Sequence, residues 1–162
     1  MTTTDTSSPT SNVVITPDVL LEHWQGHRGL TRRVIEAFPE DQLFTFTLGG
    51  MRSFGELANE FLSMAVPSVR GMVTGEWTGP ESKPTTKADI LEAWDADTAE
   101  LNRLWAQLPP NAFQQTYNAF GMYEGTGIWL LLYVIDNEIH HRGQGYVYLR
   151  ALGIEPPPFY ER

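Results

Sequence analysis

Cysteine is absent from the 162 residues, which excludes a disulfide framework, thiolate metal ligands and a cysteine nucleophile. Long apolar runs are also missing, since none reaches the roughly 18 residues that a membrane-spanning helix needs. Basic residues are few: 11 Lys and Arg stand against 20 Asp and Glu, and the formal net charge is −9. This balance argues against a nucleic-acid backbone or an anionic membrane as the main partner.

The N-terminal segment, residues 1–12, is rich in Thr and Ser and lacks the basic and apolar regions of a signal peptide. We therefore interpret residues 1–12 as a disordered leader and residues 13–162 as a single domain of a cytoplasmic protein. Hydrophobic residues make up 41% of the chain and charged residues 19%, so a chain of this length can bury a core of its own.

Four helices are predicted from capping residues and apolar spacing, and almost nothing indicates a strand. Their predicted spans are about 16–38, 53–74, 86–108 and 126–152. Pro67 lies inside the second span, where we expect a kink or a break. The aromatic but irregular stretch between the last two helices predicts a long crossover loop. Helices of this length with long connections favour an all-α four-helix bundle.

The fourth helix is apolar without interruption over residues 128–135, which predicts that this end is buried nearly all round. The tryptophans Trp24, Trp94, Trp105 and Trp129 are interpreted as core packing.

The polar end of the fourth helix, residues 136–144, holds the densest group of chemically capable side chains. Neighbouring residues on a helix point about 100° apart, so His140 and His141 cannot act as one chelating pair. Glu138-x-x-His141 has the spacing of di-iron carboxylate bundles, but the sequence lacks the second copy that such a site needs. A mononuclear zinc, nickel or iron site needs only an imidazole here and a carboxylate from a facing helix, for which Glu60 is the candidate.

A second histidine pair, His23 and His27, lies four residues apart on the first helix. The pair lacks the glutamate of the His-Glu-x-x-His protease signature, so we interpret both as surface or bundle-edge residues. The sequence also contains no phosphate-binding glycine loop, nucleophile elbow or nucleotide fingerprint.

The C-terminal segment resembles the end of a DinB-family protein, a family of metal-binding helical bundles. The likeness is carried by residues 140–144, 148–150 and 153–157, with a looser match over 54–57. The resemblance implies an up-up-down-down four-helix bundle that is often dimeric, with a divalent metal between helices two and four. It also implies kinship with transferases and isomerases that use small thiols such as bacillithiol or mycothiol.

In the family pattern three histidines hold the metal, and the matching positions here are Glu60, Asn137 and His141. Glutamate can replace histidine on zinc, whereas a neutral amide is a poor ligand. The resemblance thus implies one divalent transition metal, zinc or nickel, at a divergent site. Three outcomes are open: a weak Glu60/His141 site, a site rebuilt with Glu138 or His140, or a polar pocket without metal.

Two functions are compatible with this interpretation of the site. One is a metal-dependent enzyme of thiol-transferase or hydrolase type, in which Arg142 or Tyr148 holds an anionic group of the substrate. The other is a non-catalytic, stress-associated binding or scaffold protein that has lost the metal site. As partners we expect a second copy of the chain and a small thiol or other substrate, but neither nucleic acid nor a membrane.

Overall fold

Four helices and one small hairpin are present in the part of the chain that the structure, a computed structural model, describes, residues 13–162. In chain order these are α1 (Pro17–Ala37), α2 (Phe54–Thr74), α3 (Lys87–Trp105), β1 (Thr116–Ala119), β2 (Tyr123–Thr126) and α4 (Gly127–Ala151). The leader predicted for residues 1–12 lies outside the described residues. None of the helices within the described range is long and apolar enough to cross a membrane.

The predicted starts of the first three helices are confirmed, because each has a side chain that caps its free backbone N–H groups. Thr16 caps α1, Thr86 caps α3, and Ser53 and Glu56 form a reciprocal capping box at α2. Of the kink or break expected at Pro67, the break does not occur, since α2 is continuous through this residue.

The stretch predicted as a crossover loop instead contains a hairpin, in which β1 and β2 pair antiparallel from Thr116↔Thr126 to Ala119↔Tyr123. The turn places Phe120 at φ 55° and the following glycine at φ 69°, the positive φ values of a type I′ turn. Such turns favour asparagine or glycine at the first central position. Because a phenylalanine occupies that position, the sequence does not predict the turn.

Helices α1 and α3 run antiparallel. In the first half of α1 the Gln25 amide contacts Asn102, and further along α1 Arg32 contacts Asp95, which comes earlier in α3. The residue numbers therefore rise along one helix as they fall along the other.

Helices α2 and α3 run in the same direction, because Phe61 packs near Trp94 and, further along both helices, Arg70 lies 3.9 Å from Glu100. Since α3 is antiparallel to α1, the first two helices point in opposite directions, and the predicted up-up-down-down order is wrong. The connection over residues 75–86 makes this possible. An extended segment of about 12 residues reaches roughly 40 Å, and a 21-residue helix is about 31 Å long.

Two clusters of buried apolar side chains form the core, and they include Trp24, Trp94 and Trp105 as predicted. The expectation for the start of α4 is wrong. Trp129 is 52% exposed and Tyr133 is 53% exposed, because only one side of this helix end packs against the rest of the protein. An apolar run therefore covers both a core face and a solvent face of the same helix.

The two histidines of the α1 pair also differ in their exposure to solvent. His23 is exposed, as predicted, but His27 is only 4% exposed and lies between α1 and α4. Its interpretation as a surface or bundle-edge residue is therefore wrong.

Candidate functional site

The three residues singled out in the sequence come together where α2 and α4 pack side by side. Glu60 projects from α2, and its Oε1 lies 3.1 Å from Asn137 Nδ2 and 3.3 Å from His141 Nε2, both on α4. The close approach of the helices depends on Gly145, since a Cβ at this position would lie 2.5 Å from the ring of Phe54. Residues four apart on α4 therefore present one polar face to a single carboxylate.

Arg52, which the sequence analysis did not identify, completes the cluster. Its guanidinium donates to Glu60 Oε2, the oxygen that faces away from α4. Arg52 precedes α2, so no helical periodicity links it to Glu60, and its position depends on the path of the chain before the helix. Tyr148 holds that path by donating from its hydroxyl to the Arg52 carbonyl oxygen over 2.9 Å. The buried Tyr148 thus supports Arg52, where the sequence had suggested contact with a substrate.

The electrostatics of the cluster favour a charged carboxylate beside a neutral imidazole. Burial acts to raise the pKa of Glu60, but hydrogen bonds from Arg52 and Asn137 outweigh it and hold that pKa below its usual value. Burial lowers the pKa of His141, and the nearby Glu60 carboxylate only partly offsets this effect. We therefore expect an ionised glutamate and an uncharged histidine at neutral pH.

The tautomer of His141 follows from its two neighbours. The Gln144 amide nitrogen lies 3.0 Å from Nδ1 and can only donate, so Nδ1 is the acceptor. The ring proton is then on Nε2, which faces the Glu60 carboxylate. In this arrangement the Nε2–H group lies 3.3 Å from Glu60 Oε1, and Nε2 has no free lone pair for a metal ion.

The residues considered for a rebuilt site lie elsewhere. His140 is exposed, and Glu138 is 2% exposed and faces α1, where Thr31 donates to its Oε1 over 2.5 Å and Trp24 to its Oε2 over 3.4 Å. Arg142 also faces α1, with Nη1 3.9 Å from Glu138 Oε1. A site rebuilt around Glu138 is therefore wrong, and so is the expectation that Arg142 reaches a substrate at Glu60.

A cavity of about 550 Å³ opens beside the cluster, between α2, α4 and the hairpin. Its walls are mostly apolar and aromatic, and its polar end is formed by Glu60 and Asn137. The lining residues are Glu60, Ser63, Met64, Ser68, Ala119, Phe120, Tyr123, Trp129, Leu130, Tyr133, Val134 and Asn137.

One wall of the cavity is strained. Phe120 has φ 55°, a conformation that a bulky residue adopts only at a cost of about 1–3 kcal/mol. Its ring is held by Trp77, whose ring centre lies 5.7 Å away and which in turn packs on Gly71, where a Cβ would be 2.1 Å from the indole. The packing of the hairpin on α2 therefore keeps this phenylalanine in the cavity wall.

Potential metal ligands are sparse in the described residues, 13–162, where no group of three His, Cys, Asp or Glu side chains lies close enough to hold a metal ion. At the cluster, Glu60 and His141 face each other from α2 and α4, with Oε1 and Nε2 3.3 Å apart.

Comparison with known proteins gives a family and two related folds. The model of the DinB family matches residues 8–162. The structure of a DinB-like protein from Bacillus subtilis is 22% identical, with a TM-score of 0.72, and the match covers 88% of this chain and 99% of that one. A DinB-like protein from Bacillus cereus is 20% identical with the same TM-score, over 88% and 97% of the two chains. No curated protein matches the chain significantly.

Proposed function

This chain belongs to the DinB family, and from that premise we propose that it binds a small organic molecule in the cavity between α2 and α4. Glu60, Asn137 and His141 then serve as the polar anchor of the cavity instead of a metal centre. The proposal treats the four helices as one DinB-like bundle that positions this site. It corresponds to the non-catalytic binding function, with the cavity retained and the family's metal site lost.

The observation that carries the proposal is the hydrogen bonding of Glu60. A carboxylate accepts about four hydrogen bonds, and this one already contacts Arg52, Asn137 and His141. The acceptor capacity that remains suits a single hydrogen-bond donor better than a metal ion that needs three or four ligands. The adjacent cavity, in contrast, has the volume and the mostly apolar lining of a small-molecule site.

The side chains present do not fit the metal that the family resemblance implies. Zinc in proteins takes three or four nitrogen, sulfur or oxygen donors. The cluster offers Glu60 and His141, while Asn137 directs its amide nitrogen, a donor group, at the carboxylate. Metal binding at Oε1 would also require Asn137 to withdraw its amide from Glu60 and His141 to lose the proton on Nε2.

A metal-dependent thiol transferase or hydrolase is the second candidate. The observation in its favour is the position of Glu60 Oε1 and His141 Nε2, which lie 3.3 Å apart on facing helices, close enough to share one ion. The two candidates differ in the metal that the natively purified protein contains.

Metal analysis of the wild type and of two variants separates the candidates. We expect the wild type and His141→Ala to contain only traces of zinc and nickel. In Asn137→His, which restores a family histidine four residues before His141, we expect bound zinc to increase. Stoichiometric metal in the wild type that is lost in His141→Ala would contradict the proposal and support the enzyme.

Binding in the cavity is tested by a thermal-shift screen of small organic molecules, because a ligand that binds the folded state raises the melting temperature. Ser63→Trp fills the cavity from α2 and should abolish the shifts seen with the wild type. Thr74→Trp adds the same ring at an exposed position of the same helix and should retain them. Shifts that persist in Ser63→Trp would place binding outside the cavity.

We also propose that the protein forms a homodimer, as the family resemblance implies. Leu132, an exposed apolar side chain on the outer face of α4 that does not line the cavity, marks the surface for a second copy.

A further inference from the structure

The cavity combines a carboxylate with a group of aromatic rings, and this combination bears on the chemical class of the ligand. Four of its lining residues are aromatic: Phe120, Tyr123, Trp129 and Tyr133. The rings of Trp129 and Tyr133, one turn apart on α4, have centres 6.1 Å apart and are stacked at 24°. Aromatic faces carry partial negative charge and attract organic cations.

Local backbone features hold these rings at the cavity. Trp129 packs against Gly125, where a Cβ would lie 2.4 Å from the indole, so the hairpin strand β2 and the start of α4 fit together closely. Phe120 is held by Trp77 in its strained conformation. The aromatic wall is therefore built before any ligand arrives, which lowers the entropic cost of binding.

The polar end of the cavity consists mainly of acceptors. Glu60 is the one lining residue that carries a charge, and neither lysine nor arginine contributes to the described walls. Asn137 uses its amide nitrogen toward Glu60 and toward the sulfur of Met64, so its carbonyl oxygen is left to accept a hydrogen bond. Arg52 contacts Glu60 Oε2 but does not line the cavity.

We propose that the cavity binds an organic ammonium ion with an apolar body, with the ammonium group near Glu60 and Asn137 and the body against Trp129 and Tyr133. This inference rests on the proposed function and gives it a ligand class. The net charge of −9 agrees with it, because the field of the whole protein favours the approach of cations. A carboxylate-bearing ligand would face Glu60 without a lining cation to pair with.

Three probes of one shape test the ligand class by isothermal titration calorimetry at pH 7: 3-phenylpropylamine, 3-phenylpropanol and 3-phenylpropanoate. We expect the protonated amine to bind about tenfold more tightly than the alcohol, and the carboxylate to bind more weakly than both. Equal affinity for the amine and the alcohol would overturn the inference and leave the proposed cavity function standing. If no probe of any charge binds, both proposals fail.

Variants locate the effect at Glu60. Glu60→Gln should weaken the amine about tenfold and leave the alcohol within about twofold, whereas Arg52→Gln should tighten the amine by freeing Oε2. Glu124→Gln removes the same charge from the exposed hairpin without touching the cavity and should change neither affinity. A similar loss of amine affinity in Glu60→Gln and Glu124→Gln would mean that only the electrostatic field of the whole protein favours the amine, and would overturn the inference.

A separate substitution tests the contribution of the aromatic rings to amine binding. Trp129→Leu, at a position that is half exposed and outside the core, should weaken the amine more than the alcohol by about threefold. An equal loss for the two probes would show that the indole supplies only apolar contact, and would remove the cation–aromatic part of the inference.

Discussion

Two glutamates at the α4 interfaces are stabilised in different ways. Glu60 is partly exposed and has a guanidinium on one oxygen, so its charge remains close to water. Glu138 is 2% exposed, and its partners are Thr31, Trp24 and the more distant Arg142. A buried charge is tolerated only when donors surround it, so we expect the surroundings of Glu138 to be important for stability.

Removal of Arg142 tests that expectation. Arg142→Met takes away the cation beside Glu138 and the donor to the His27 carbonyl and to Thr31, so we expect a loss of about 3–5 kcal/mol in the free energy of unfolding. Urea denaturation measures it.

A control variant and a second substitution at Glu138 distinguish the effect of the charge on stability from the effect of packing. Arg150→Met, at an exposed position of the same helix, should change stability by less than about 0.5 kcal/mol. Adding Glu138→Gln to Arg142→Met removes the unpaired charge and should restore part of the loss. A loss below about 1 kcal/mol in Arg142→Met would mean that the guanidinium does not stabilise the buried carboxylate.

Helix α4 serves a different partner on each of its faces. One face supplies Asn137 and His141 to the site on α2, another supplies Glu138 and Arg142 to α1, and the outer face near its start is apolar and exposed. Polar and apolar residues thus occur on several faces of α4. For this reason the prediction that its apolar run is completely buried is wrong.

Two glycines of α4 provide a matched test of its packing. A Cβ at Gly145 would lie 2.5 Å from the buried Phe54 ring, whereas a Cβ at Gly143 meets nothing within 4 Å. Gly145→Ala should cost about 1–3 kcal/mol through overpacking, and Gly143→Ala should gain up to about 1 kcal/mol from better helix propensity. Thermal unfolding measures both, and a neutral Gly145→Ala would show that α2 and α4 are packed less closely than described.

At the scale of the whole molecule, buried titratable groups make stability depend on pH. Burial lowers the pKa of His27 to about 4, with Arg142, His23 and Arg162 acting in the same direction. Burial raises the pKa of Asp97 to about 6, even though Arg28 lies 2.8 Å away. As the pH falls from about 6.5 to 4, the His27 side chain binds a proton in the unfolded state but not in the folded state, which destabilises the fold. Asp97 acts the opposite way, because its folded form is protonated first.

Replacement of His27 isolates its contribution from the opposing one. His27→Gln should become more stable relative to the wild type as the pH falls from about 6.5 to 4, by up to about 3 kcal/mol. Urea denaturation at several pH values measures the difference. His140→Gln is the control, since that exposed side chain is not among the groups that act on His27. A difference between His27→Gln and wild type that stays constant with pH would contradict the burial effect.

The proposed homodimer also belongs to this scale. Leu132 is 41% exposed on the outer face of α4 and does not line the cavity, so Leu132→Asp should convert a dimer to a monomer without altering the binding site. Light scattering after size-exclusion chromatography measures the mass. Val147→Asp, exposed near the other end of the helix, is the control. A wild-type monomer, or a Leu132→Asp dimer, would exclude this interface.

Local patterns in the sequence were sufficient for the helix starts, for the C-terminal family motif and for the shared face of Asn137 and His141. Capping and helical periodicity act over three or four residues, so neighbours in sequence decide them. Only the tertiary structure decided that Arg52 pairs with Glu60 and that Glu138 turns toward α1. It also decided the direction of α2, the burial of His27, and the hairpin. These depend on the path of the chain outside the helices, on how whole helices rotate and on which neighbour they meet, and none of these leaves a periodic trace in the sequence.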